Sequence, residues 1–309
     1  MSAFSLLSLL SLPSQPSLPS LTATLLLMLA ICTVWLPALP LRGPMRLPPW
    51  LLLLVLAVVA ALLNGQLTVT GVLGLLLLGV SAWRAAHARH AQHAWPAGMW
   101  LIPVIVLSLL LAMHRWPGFL NPLVLPRQAV TQDALPFMLY ANLDKGAAGL
   151  LLLALLAPRC HACKQWQAAL RRALLPGLLT IVVVMLSGWL LGMVRPEAKW
   201  PPFAATFLAI NLLLTVVAEE AFFRGLIQQR LQLALHTLRG GKLLAVVVSA
   251  VLFGAAHLGG GMVYAALASV AGLGYAIVFQ RSGRIEAAIA VHFALNAVHF
   301  LGFTYPALA

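Results

Sequence analysis

LLLTVVAEEAFFRGLIQQRL, residues 212–231, sets two adjacent glutamates inside an apolar run of helical length. A charge at the centre of a lipid-spanning helix costs about 2.5–3.5 kcal/mol on translocon scales, so Glu219 and Glu220 need partners. Glu220 and Arg224 are four residues apart, in the favourable order of acid before base, and share one helix face. Glu219 is rotated about 100° from Glu220, faces a different neighbour and is left as the candidate base. The alternative is that both glutamates bind Arg224 and Arg230 at a membrane boundary and only hold the helix in register.

The rest of the chain agrees that lipid is the solvent. Of 309 residues 62% are apolar and only 8% charged, with mean hydropathy +0.99, whereas soluble domains carry about 25% charged residues. We expect an all-α fold, a polytopic transmembrane helical bundle of about ten spans, near 18–40, 50–64, 67–83, 98–113, 138–158, 175–194, 202–223, 243–258, 262–280 and 285–304. The net charge of +13 does not point to nucleic acid, because the basic residues sit in short loops between apolar runs and not on one solvated face. If the spans alternate, the loops with Arg42 and Arg46, Arg84 and Arg89, Arg159 to Arg172, Arg224 to Lys242, and Arg281 with Arg284 share one side. They hold 14 of the 19 basic residues, which assigns that side to the cytoplasm, with both termini outward and anionic lipid as a partner.

Residues 1–17, MSAFSLLSLLSLPSQPS, lack the positive start and small-residue cleavage pattern of a secretory signal and are expected to stay attached. The stretch from His114 to Asp133 reads as an outward interfacial loop without chemistry. Spans before the basic segment at 158–172 carry almost no ionisable group, while those after about Pro201 carry several. We therefore place an amino-terminal transmembrane region of unassigned role at 1–172 and a second domain at 173–309. Cys160 and Cys163 form one CxxC, half of what a structural zinc site commonly uses, and read as ordinary reduced thiols.

Two later spans supply partners for Glu219. KLLAVVVSAVLFGAAHLGGG ends on His257 before a glycine cluster, and IEAAIAVHFALNAVHFLGF aligns His292, Asn296 and His299 on one face. Each histidine alone reads as a cap or interfacial residue, but a polar stripe on an apolar helix must face protein or a wet cavity. Counted at the helix rise from their basic anchors, His257 lies about 22 Å deep and His292 and Asn296 about 12 and 18 Å deep, within one layer of the bilayer.

The ordered set EExxxR (Glu219, Glu220, Arg224), FxxxH (Phe253, His257) and HxxxN (His292, Asn296) resembles the CPBP intramembrane protease family, which includes the type II CAAX prenyl endoprotease and the bacterial Abi proteins. The likeness covers roughly residues 200–305 and implies a carboxy-terminal CPBP/Abi-like catalytic core that hydrolyses a peptide bond with activated water. It implies that Glu219 activates water with His257, that Arg224 holds Glu220, and that His292 and Asn296 stabilise the oxyanion. Glu219, His257 and His292 also form a two-histidine, one-carboxylate set for a catalytic zinc; the reading taken forward is the metal-independent glutamate mechanism. The expected substrate is a membrane-embedded or lipid-associated protein or peptide, and the expected location the bacterial cytoplasmic membrane. Two other classes fit the same residues: a proton- or cation-coupled transporter, and an immunity or binding membrane protein without catalysis.

Overall fold

The computed structural model describes residues 18–41, 45–87 and 94–309; the expectation for residues 1–17 and the loop positions Arg42 and Arg89 lie outside them. Among the described residues ten helices follow one another: α1 Leu18–Cys32, α2 Pro49–Leu63, α3 Val69–His87, α4 Ala94–Ala112, α5 Leu143–Leu155, α6 Cys163–Leu190, α7 Ala204–Ala234, α8 Gly241–Ala255, α9 Met262–Ser282 and α10 Ile285–Gly302. Each falls on one of the ten apolar runs, but only α3, α6, α7, α9 and α10 are long and apolar enough to cross a membrane. The helical bundle is as expected, and five of the ten expected spans meet that length and apolarity. Apolarity locates a helix and does not set its length: the 13 residues of α5 reach about 20 Å, short of a ~30 Å hydrocarbon core.

The fold is also not purely helical. Leu39–Pro40 pairs with Arg46–Leu47, and Leu123–Gln128 pairs with Phe137–Tyr140, both antiparallel. The first strand of the second pair lies in the stretch from His114 to Asp133, so that segment is more ordered than its prolines suggest.

Lipid gives no hydrophobic drive for helices to associate, so close backbone approach through small residues has to hold the bundle together. A Cβ on Gly146 would lie 2.7 Å from Leu214 Cδ2, and one on Gly149 would lie 2.5 Å from Ala218 Cα, so α5 rests almost on the backbone of α7. Leucines and valines such as Leu76, Val182 and Leu243 remain exposed on the outside, as a lipid-facing surface requires. One buried apolar core joins α1 to α5 with α7 and α10, and a second joins α6 with α8, α9 and α10. Packing thus runs across position 172. Glu286, at the start of α10 and almost fully buried, accepts the Trp35 indole N–H and the Cys160 backbone N–H at 2.6 Å each, tying the end of α1 and the α5–α6 loop to α10.

Candidate active site

Helix α7 widens into π-helical turns at Asn211–Val216 and Ala221–Gln228, leaving an α-helical segment, Val217–Glu220, between them. Such insertions are rare and concentrate at functional positions. The segment between the two holds both glutamates, which face different surroundings. Glu220 and Arg224 have side chains 0% exposed and pair at 3.2 Å (Oε1 to Nη1). Arg224 Nη2 donates to the Gly272 carbonyl on α9 at 2.7 Å, and its guanidinium lies 4.7 Å from the centre of the Phe253 ring. A cation over an aromatic face with both terminal nitrogens hydrogen-bonded is how arginine tolerates a dry site.

Glu220 Oε1 also meets His292 Nδ1 at 2.8 Å. A carboxylate only accepts, so Nδ1 carries a proton, and Nε2 is the ring nitrogen turned toward Glu219. That Nε2 lies 3.8 Å from Glu219 Oε2, beyond direct hydrogen-bond length and within reach of one bridging water. Tyr275 stacks on His292 at 4.4 Å and 15° and Phe253 meets it edge-on at 5.6 Å, so the ring orientation is fixed on three sides.

His257 follows the end of α8, where Gly261 at φ +95° turns the chain into α9. Its Nδ1 is 2.7 Å from the Phe253 carbonyl, which again places the proton on Nδ1 and the lone pair on Nε2. The Glu219 carboxylate lies in Coulombic range of His257 as well as His292. Asn296 donates to Asn211 Oδ1 at 3.2 Å, leaving its second amide N–H available. A cavity of about 100 Å³ is lined by His257, Tyr264, Tyr275, His292, Asn296 and His299 on its polar side and by Val184, Met185, Leu267 and Leu295 on its apolar side.

All six residues singled out from the sequence are thus accounted for. Glu219, Glu220, Arg224 and His292 form one cluster; His257 and Asn296 flank it on the cavity wall. Three participants were missed. Tyr275 and Asn211 sit in apolar spans where a single polar residue carries little signal. Lys145, from α5, donates to Glu219 Oε1 at 2.7 Å, which corrects the view that early spans bring almost no ionisable group. Asp144 beside it is 1% exposed and is held by His114 Nδ1 at 2.7 Å and Asn121 Nδ2 at 3.0 Å, both from the stretch read as free of chemistry. The signal was present: LDKGAAG sets two charges against a small-residue face.

A catalytic metal would need donors that converge. Among the described residues no three His, Cys, Asp or Glu side chains do so, and the Lys145 ammonium already occupies Glu219 Oε1, where a second cation would be repelled. In this arrangement the donor set does not fit a metal. Cys160 and Cys163 are free thiols. Cys160 is buried, and desolvation together with the nearby Glu286 carboxylate pushes its thiol up to about 12.

Residues 199–298, about a third of the chain, match the family model described as type II CAAX prenyl endopeptidase Rce1-like. The match spans α7 to most of α10 and meets the resemblance carried by the three motifs. Comparison with curated proteins and with solved structures returned no match.

Proposed function

We propose that the protein is an intramembrane endopeptidase that hydrolyses a peptide bond of a membrane-embedded or lipid-associated protein or peptide by glutamate-activated water. The observation that supports this most directly is the 3.8 Å approach of Glu219 Oε2 to His292 Nε2, beside a cavity inside an apolar bundle. Glu219 takes a proton from water, and the resulting hydroxide attacks the carbonyl carbon. His292 and Asn296 face the oxyanion that forms, where fixed donors act most strongly because little water screens them. Collapse breaks the C–N bond as the Glu219 proton passes to the leaving amine, which balances the step. His257, with Nε2 unprotonated, orients the water. Glu220 and Arg224 take no part in proton transfer and hold His292. No step is assigned to a metal, a reading supported by the Lys145 ammonium on Glu219.

The transporter reading uses the same polar groups as a relay, and the immunity reading gives them no turnover; the family match favours neither. The test compares membrane proteomes of cells carrying the wild type or Glu219→Gln, His257→Ala or His292→Ala, scoring new protein termini. Loss of processed ends in all three variants, at unchanged protein level, is expected, since general-base steps contribute roughly 10²–10⁴-fold. Retained processing by Glu219→Gln would remove it as the base, and an ion flux lost in the same variant would favour the relay.

A further inference from the structure

Lys145 lies on α5, outside residues 199–298, and nothing in the ordered motifs calls for it. It is the third residue of α5, where the helix dipole disfavours a cation, and its side chain is only 17% exposed. A lysine placed there without a partner would be costly. Its Nζ is 2.7 Å from Glu219 Oε1. Two further features direct it to that position. Gly146 and Gly149, on the turn that follows, allow α5 to approach the α7 backbone at Leu214 and Ala218, next to Glu219. Asp144, the preceding residue, is fixed by His114 and Asn121, and Asn121 Oδ1 also accepts the Leu143 N–H at 2.8 Å, which pins the start of the helix.

From this geometry we infer that Lys145 is a positioning residue for hydrolysis, holding Oε1 of Glu219 so that Oε2 alone faces water and His292. The inference rests on the reading of Glu219 as the base. It also gives the amino-terminal helices a task, because α5 completes a site whose other members lie on α7, on α10 and just past the end of α8. Charge is balanced as well: Lys145 with Glu219 and Arg224 with Glu220 form two neutral pairs joined by His292.

The test uses the full chain in proteoliposomes and a quenched-fluorescent peptide with one apolar span, with and without a farnesyl thioether. Lys145→Met is expected to lower kcat about 10–100-fold with KM little changed, as for groups that orient a reacting residue. Lys145→Arg restores most of the rate, and ethylammonium added to Lys145→Ala restores part of it, neither of which a packing role explains. Full activity of Lys145→Met beside an inactive Glu219→Gln overturns the inference and leaves the protease reading standing, as does a loss that neither arginine nor the amine repairs. If the wild type cleaves neither peptide, the protease reading is what suffers, and the inference is decided by melting. Lys145→Met, Glu219→Gln and the double variant are expected to show strong non-additivity, and simple addition of the two shifts overturns it.

Discussion

Arg224→Met separates what holds the site together from what reacts in it. The substitution leaves the Glu220 carboxylate, 0% exposed, with His292 as its remaining partner and removes the bond from Arg224 to Gly272 on α9. Breaking one member of a buried pair costs about 3–5 kcal/mol. The lost charged hydrogen bond to Gly272, about 1.5–3 kcal/mol in isolation, belongs to the same truncation and is not added to it. Helix–helix hydrogen bonds inside membranes average only about 0.6 kcal/mol, so a result near the larger figure identifies stranded charge and not a lost contact as the cause. Equilibrium unfolding in mixed micelles provides the measurement. The companion variant, Glu220→Leu with Arg224→Met, removes both charges and is expected to recover most of the stability while remaining inactive, because His292 loses its anchor. A cost under about 1 kcal/mol for Arg224→Met, or a double variant no more stable than the single one, refutes the reasoning.

Two further outcomes test the packing and the thiols. Gly149→Leu forces side-chain atoms into the backbone of α7 at Ala218; overpacking costs about 1–3 kcal/mol, and moving α5 away from Glu219 should lower cleavage as Lys145→Met does, checked by melting temperature and turnover together. Cys160, its thiol pushed up to about 12, stays protonated across the neutral range and becomes a thiolate only as the pH climbs toward that value, so at pH 8 iodoacetamide should modify exposed Cys163 first, as read by peptide mass; Cys160→Ala and Cys163→Ala should keep full activity.

What the sequence reveals of the site follows the range of each interaction. Glu220 and Arg224 are one helical turn apart, and so are His292 and Asn296, so their shared faces follow from spacing alone. The depth argument put His257, His292 and Asn296 in one layer, and all three line one cavity. Lys145 is 74 positions from Glu219, and its contact depends on how closely two helices pack. That approach is encoded in Gly146 and Gly149, but only once the partner helix is known. The π-helical turns of α7 are a matter of hydrogen-bond register and not residue type, so no spacing rule exposes them. Helix length is hidden for a similar reason: α5 begins at Leu143 because Asn121 and Asp144 fix its first turn.

The two glutamates are chemically identical neighbours in opposite surroundings, and their rotation about α7 accounts for the difference. Glu220 points into the bundle, where an arginine from its own helix and a histidine from α10 take the same oxygen and exclude water. Glu219, turned by about 100°, has a side chain 15% exposed, one oxygen held by Lys145 and the other facing His292. A carboxylate sealed as completely as Glu220 cannot meet a substrate water, and one left as open as a surface residue would gain little from fixed donors around it. Only the intermediate exposure of Glu219 fits the proposed role of base for hydrolysis inside lipid. That exposure is set by α5, whose glycines bring its lysine near enough to cover one oxygen and no more.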